Sequence, residues 1–190
     1  MSSEPLHLAV IIGSTRDGRF GTTVSDWFVA EARTRPDLVL DVIDLADADL
    51  PDRYPREPTP AVTAYAERLD RADGFVVVTP EYNHGYPAPL KQAIDLARRE
   101  WQAKPVAFVS YGGLSGGLRA VEQLRQVFAE VHAVTVRDTV SFHLAHSAFD
   151  ADGRPVDPVG PSAAGKKLLD QLAWWALALR DARARRPYAA

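Results

Sequence analysis

Short runs of apolar residues alternate along the chain with longer segments whose apolar positions recur every three or four residues. The short runs predict β-strands, and they lie at residues 6–12, 38–43, 74–79, 104–110 and 132–137. One-sided apolar stripes predict helices over residues 22–33, 61–72, 90–101, 117–131 and 162–185. Residues 51–60 are proline-rich and are expected to form a surface loop, and residues 139–160 are expected to be irregular. Strands that alternate with helices predict an α/β fold, with a parallel sheet covered by helices on both faces.

The loops that follow the strands carry the candidate chemistry, because ligands of such sheets bind at the carboxyl ends of the strands. The first loop reads Gly-Ser-Thr-Arg-Asp-Gly-Arg-Phe-Gly over residues 13–21. Ser14 supplies a hydroxyl, Arg16 and Arg19 supply guanidinium groups, and the next helix supplies free N–H groups at its positive end. These features predict a phosphate site. The alternative interpretation is a loop with two solvated arginines.

Two familiar phosphate-binding patterns do not fit this loop. The nucleotide P-loop places Lys and then Ser or Thr after its second glycine, but Gly18 is followed here by Arg19 and Phe20. A magnesium ion would therefore lack its hydroxyl ligand. The Gly-x-Gly-x-x-Gly spacing of dinucleotide-binding folds is absent from the loop as well.

Two further loops have unusual composition. The loop after the third strand, Pro-Glu-Tyr-Asn-His-Gly-Tyr from residue 80, offers aromatic rings for a flat heterocycle and amide groups for its polar edge. The loop after the fourth strand has glycine at 112, 113, 116 and 117, which allows a ligand to approach the backbone closely. The alternative for the aromatic loop is a stiff turn whose tyrosines fill surface grooves.

Composition narrows the classes of function. The 190 residues carry a net charge of -3 and no cysteine. The charge disfavours a nucleic-acid partner, and the lack of cysteine excludes disulfides, thiolate catalysis and iron–sulfur clusters. No apolar run reaches the length of a membrane span, and the N-terminal stretch lacks the basic start of a secretory signal. We therefore expect a single domain over residues 1–190, a cytoplasmic location and no membrane partner.

Taken together, the three loops resemble those of the NAD(P)H-dependent FMN reductases, which have a flavodoxin-like fold. The resemblance rests on Gly-Ser-Thr-Arg at residues 13–16, Pro-Glu-Tyr-Asn at 80–83 and Tyr-Gly-Gly at 111–113, and it extends over residues 6–137. It implies a three-layer sandwich with five parallel strands in the order 2-1-3-4-5. It also implies bound FMN, NADPH or NADH as cosubstrate, a homodimer or homotetramer, and electron transfer to a quinone, an azo compound, a metal oxyanion or free flavin.

Carried over by position, the resemblance assigns the FMN phosphate to one loop and the isoalloxazine ring to the other two. The phosphate would be held by Ser14, Arg16, Arg19, Phe20 and Gly21. The ring would be held along one edge by Pro80, Glu81, Tyr82 and Asn83, and along its other side by Tyr111, Gly112 and Gly113. No catalytic residue and no metal ligand are expected, because the flavin itself accepts the hydride and the protein orients it.

Two other functions remain open at this point. Residues 113–117, Gly-Leu-Ser-Gly-Gly, match the nucleophile elbow of serine hydrolases, with Ser115 as nucleophile, Asp138 as acid and His143 or His146 as base. The match is imperfect because Ser115 lies several residues beyond the predicted strand. The second alternative is a flavodoxin-type electron carrier, although such carriers are usually more acidic than this chain.

Overall fold

A computed structural model describes residues 4–189. Its centre is a parallel sheet of five strands in the order β2-β1-β3-β4-β5. The strands are β1 (Leu6–Ile12), β2 (Leu38–Asp44), β3 (Gly74–Pro80), β4 (Pro105–Tyr111) and β5 (Val134–Phe142). This is the order implied by the family resemblance. The strand order switches between β1 and β3, because β2 lies on one side of β1 and strands β3 to β5 lie on the other side.

Burial of the strands follows their position in the sheet. Every residue of the two central strands β3 and β4 is buried, as expected of strands with helices on both faces. The edge strands β2 and β5 mix buried and partly exposed positions. The continuous apolar runs seen in the sequence therefore mark the centre of the sheet, and the broken patterns mark its edges.

Helices cover the sheet on both faces. The helices are α1 (Gly21–Arg33), α2 (Pro60–Arg71), α3 (Ala88–Asp95), α4 (Leu118–Glu130), α5 (Ala145–Ala148) and α6 (Val159–Arg185), with a short 3-10 helix at Arg99–Trp101. Side chains of α1 and α6 pack with Val10, Val76 and Val109 on one face. Side chains of α2, α3 and α4 pack with Phe75 and Phe108 on the other.

The structure corrects three predicted boundaries. The fifth strand continues to Phe142, because Val136, Val140 and Phe142 keep one face buried although polar residues interrupt the apolar run. The predicted irregular segment accordingly begins later, and it contains the short helix α5. Helix α3 ends at Asp95 rather than continuing to Trp101. The Trp101 indole N–H donates to the carbonyls of Ile94 and Ala97, at 3.1 Å and 3.0 Å, and so caps the end of the helix.

Candidate functional site

The loop between β1 and α1 forms an anion cradle. The amide of Gly13 donates to the Val78 carbonyl at 2.9 Å, which fixes the loop at the junction of β1 and β3. The first N–H groups of α1 have no acceptor within the helix, as at every helix start. Within this described helix no side chain caps the N-terminus and no acidic residue lies in the first turn. The positive end of α1 is therefore available to an anionic group.

The two arginines of this loop have different surroundings. The Arg19 guanidinium forms an ion pair with the Asp44 carboxylate at the end of β2. Arg16 is exposed, and its side chain has no ion pair or hydrogen bond with the residues that the structure describes. Both line a cavity of about 960 Å³ between the first loop, residues 45–52 and the start of α3. Arg16 is therefore the better placed of the two to bind an anion.

Tyr111 lies beneath the cradle with an unsatisfied polar group. The residue is buried, and no described residue forms a hydrogen bond with its hydroxyl. A Cβ atom at Gly21 would lie 2.7 Å from that hydroxyl oxygen, so only glycine fits there. Burial raises the pKa of Tyr111 above its usual value, and the nearby Tyr82 raises it further, although Ser14 and Arg19 oppose the shift. The tyrosine stays neutral and can donate a hydrogen bond to a ligand.

Tyr82 links the second loop to the first. Its hydroxyl lies 2.8 Å from the hydroxyl of Ser14, which is fully buried. The backbones of Tyr82 and Gly85 exchange two hydrogen bonds, and Asn83 and His84 between them both have positive φ. Two successive positive φ angles define a tight hairpin turn, in which asparagine is favoured. Asn83 therefore has a conformational role in this loop.

Most of the predicted ring-binding residues line one cleft. The cleft has a volume of about 340 Å³, and one wall consists of Pro80, Glu81 and Tyr82. The adjoining wall consists of Tyr111, Gly112 and Gly113, since Pro80 and Tyr111 are partners in the sheet. A Cβ atom at Gly113 would meet no atom within 4 Å, so its backbone is open to a ligand. Asn83 does not line this cleft.

The third side of the cleft was missed by the sequence prediction. It consists of residues 144–147, just beyond the true end of β5. The His146 ring packs against Phe20, with 4.7 Å between ring centroids, and Phe20 also contacts the ring of Phe149. The side chain of Phe20 is thus an apolar contact between the first loop and this segment. The signal that could have located it is the position of β5 beside β4, which places the two strand ends together.

The described residues do not form the serine–histidine–aspartate triad that the hydrolase alternative requires. His143 Nδ1 lies 2.9 Å from the Leu114 carbonyl oxygen, and His143 Nε2 lies 3.4 Å from the Ser141 hydroxyl. Asp138 pairs with Arg137 and Lys167. Among residues 4–189, no hydrogen bond joins Ser115, Asp138 and a histidine, so the hydrogen-bonded chain of a triad is not formed.

Comparison with known proteins identifies the family. The family model for NADPH-dependent FMN reductases matches residues 6–147, which is most of the chain. The chain belongs to this family. The match includes all three ligand loops and the segment that forms the third side of the cleft. FMN and NAD(P)H are the cofactors of this family of oxidoreductases.

Individual relatives agree with this assignment. An NAD(P)H-dependent FMN reductase of Schizosaccharomyces pombe is 38% identical over 132 residues, which cover 63% of this chain and 64% of that protein, just under two thirds of its length. An NADPH:quinone oxidoreductase of Arabidopsis thaliana is 32% identical over 168 residues, covering 81% and 84% of the two chains. A quinone reductase of Escherichia coli is 36% identical over 144 residues, covering 70% and 75%.

Solved structures support the fold. The flavoenzyme FerB, an NAD(P)H:(acceptor) oxidoreductase from Paracoccus denitrificans, superposes with a TM-score of 0.73 at 24% identity and covers 90% of this chain and 97% of its own. Flavodoxin 1 from Bacillus cereus superposes with a TM-score of 0.53 at 19% identity, covering 90% and 97%. The fold is therefore flavodoxin-like, in agreement with the strand order.

The residues present fit FMN. The open start of α1 and the unpaired Arg16 suit a phosphate group. The cleft beside them, with an apolar majority in its lining and exposed backbone at Gly113, suits a flat ring system. The hydroxyl of Tyr111 lies between these two regions and has no hydrogen-bond partner among the described residues, and a bound ligand would provide one.

Over residues 4–189, no helix is long and apolar enough to cross a bilayer.

Proposed function

We propose that this protein is an FMN-dependent NAD(P)H oxidoreductase whose electron acceptor is a small molecule of the quinone type. The observation that carries the proposal is that Tyr111 lines the cleft at the ends of β3 and β4 and places its hydroxyl against Gly21, so that an anion cradle at the start of α1 adjoins an apolar cleft. A flavin mononucleotide has the matching parts, one phosphate and one flat ring. The quinone acceptor is favoured because relatives from a plant and a bacterium are named quinone reductases.

The residues of the site bind and orient rather than exchange protons. When bound, FMN supplies acceptance of a hydride and its delivery to the acceptor, which is why no acid–base pair is required. Arg16 and the first amides of α1 hold the phosphate. The walls of the cleft hold the ring, and Tyr111 donates a hydrogen bond to the ligand between these ends. An azo compound, a metal oxyanion or free flavin would need no additional protein group and remain acceptors to test.

The site also supports proposals on assembly and location. Leu114 is 84% exposed and Leu144 is 61% exposed, and both lie on loops that surround the cleft. The Leu144 amide donates to the Gly113 carbonyl at 2.8 Å, so the two leucines lie on adjoining loops, and a contiguous exposed apolar patch is typical of an interaction surface. We propose a single domain that assembles as a homodimer or homotetramer through this surface, and a cytoplasmic location where NAD(P)H is supplied. Sedimentation velocity at micromolar concentration checks the assembly, and a fully active monomer would contradict it.

The test begins with cofactor binding. The purified protein is expected to bind one FMN per chain, to be yellow when loaded, and to bind FAD less well because no sequence motif resembles a site for the adenosine half. A screen of quinones, azo dyes, chromate and free flavin with NADH and NADPH then identifies the acceptor and the preferred nicotinamide. Failure to bind FMN in a titration would end the proposal. Binding of FMN without any oxidation of NAD(P)H would favour the electron carrier instead.

A further inference from the structure

Glu81 makes an unusual set of contacts across the cleft. Its backbone amide donates to the Tyr111 carbonyl at 3.0 Å. Its carboxylate accepts from the backbone amide of Arg119 at 3.1 Å and from the Arg119 guanidinium at 3.1 Å. One residue of the first wall is thus attached to two residues on the side of the second wall, Tyr111 and Arg119.

The carboxylate supplies a helix cap that α4 cannot supply for itself. Arg119 is the second residue of α4, so its amide is one of the donors left open at the helix start. The N-cap position holds Gly117 with a φ of +86°, and a Cβ there would lie 2.6 Å from Ser110 Cβ. No capping side chain can therefore be placed at Gly117. A carboxylate from another loop meets the open amide and the positive helix end together.

The two strand ends also touch beside these contacts. A Cβ atom at Gly112 would lie 3.6 Å from Glu81 Cβ, so the two segments pack together at the base of the cleft. The side chain of Glu81 is only 7% exposed, and its oxygens accept hydrogen bonds from Arg119. Burial by itself would raise the pKa of Glu81, but the hydrogen bonds from Ser115 and Arg119 lower it below its usual value. The group therefore remains an anion engaged by protein donors.

We propose that Glu81 is a positioning residue that joins the β3 loop to the start of α4 and so fixes the loop of residues 112–117 in place beside the flavin ring. The proposal rests on the proposed function, since it concerns the same flavin site. In this role the Glu81 carboxylate contacts Arg119 and does not contact the ring directly.

Flavin affinity with and without the phosphate tests this proposal. The apoprotein is titrated with FMN and with riboflavin for wild type, Glu81→Ala, Glu81→Gln and the matched control Glu122→Gln, an exposed glutamate of α4. Glu81→Ala should bind both FMN and riboflavin at least about tenfold more weakly, because loss of its charged hydrogen bond to Arg119 loosens the loop beside the ring. The factor should be the same for the two ligands, because they share that ring. Glu81→Gln keeps one acceptor oxygen and should recover part of the loss. Glu122→Gln should match wild type.

Hydrogen exchange provides a second measurement on the same proteins. The Arg119 amide should exchange faster in Glu81→Ala than in the control, since its acceptor has been removed. A folded Glu81→Ala protein with wild-type riboflavin affinity would overturn the proposal, and so would a loss seen with FMN alone. If Glu81→Ala does not fold, Glu81→Gln and Arg119→Ala decide the question by the same comparison. If wild type binds neither ligand, the proposed function itself fails, and the positioning role for a flavin fails with it.

Discussion

Removing the Tyr111 hydroxyl is expected to stabilise the free protein and to weaken its binding of FMN. The hydroxyl is buried without a hydrogen-bond partner among residues 4–189, at a position between the cradle and the cleft. A buried polar group without a partner destabilises the native state, because it has lost its hydrogen bonds to water. A ligand that accepts a hydrogen bond there removes this penalty. Tyr111→Phe therefore separates stability from binding.

The magnitudes follow from the two environments of the hydroxyl. Without a ligand, the unpartnered group costs about 1–3 kcal/mol, so Tyr111→Phe should raise the free energy of unfolding by about 1 kcal/mol. For a protein of this size that is a rise in Tm of about 2–4 °C. With FMN bound, the variant lacks a hydrogen bond worth about 0.5–1.5 kcal/mol, so the Kd for FMN should rise about threefold to tenfold.

Tyr65 supplies a matched control for this experiment. It lies in α2, is 3% exposed, and its hydroxyl is also buried without a partner in the described structure. It does not line the cleft or the cradle. Tyr65→Phe should therefore raise the free energy of unfolding by a similar amount and leave the Kd for FMN unchanged.

Urea denaturation of the two apoproteins and FMN titration by flavin fluorescence provide the measurements. Denaturation midpoints are compared at equal m-values, so that a change in midpoint reports a change in stability. The reasoning about the orphaned hydroxyl is wrong if Tyr111→Phe lowers the stability of the apoprotein. The placement of FMN beside Tyr111 is wrong if the variant binds FMN as tightly as the Tyr65→Phe control.

Three further predictions concern other residues. Arg16→Ala should weaken FMN binding by about 1.5–3 kcal/mol and leave riboflavin binding nearly unchanged in paired titrations, since riboflavin has no phosphate; equal losses would indicate a role in the fold. Ser115→Ala should slow NAD(P)H oxidation by about tenfold or less, and a fluorophosphonate probe should not label Ser115 in the parent; labelling would revive the hydrolase. Burial lowers the pKa of Lys104 from 10.5 to about 8. At pH values between these two numbers, the unfolded chain therefore binds more protons than the folded protein does. Unfolding free energy should therefore rise with pH across that window by up to about 3 kcal/mol, and urea titrations should show a flatter pH profile for Lys104→Met; equal profiles would contradict the shift.

Much of the fold could be predicted because its signals are local. Continuous apolar runs mark the buried strands β3 and β4, and helical stripes between strands require parallel pairing. The prediction ends the edge strand β5 at residue 137 because the polar residues Asp138 and Thr139 interrupt its apolar pattern. An edge position tolerates such residues, and the burial of Val140 and Phe142 becomes clear only once β5 is paired with β4.

The candidate site was predictable in outline but not in its charge pairing. Loop composition identified Arg16 and Arg19 equally, since both are arginines in one glycine-rich loop. The structure separates them because Asp44, at the end of the neighbouring strand β2, pairs with Arg19 alone. That contact joins residues 25 positions apart. It depends on how β1 and β2 align, which no local pattern reports.

The Gly-x-Ser-x-Gly match illustrates how one pattern serves two physical requirements. In a nucleophile elbow, the serine occupies the strand-to-helix turn itself and is exposed to substrate. Here β4 ends at Tyr111, and the loop reaches Ser115 only after Gly112 and Gly113. Gly117 has positive φ, and a Cβ there would collide with Ser110, so this glycine is required by the entry into α4. The last glycine of the match therefore serves the entry into α4, which requires neither a histidine base nor an oxyanion.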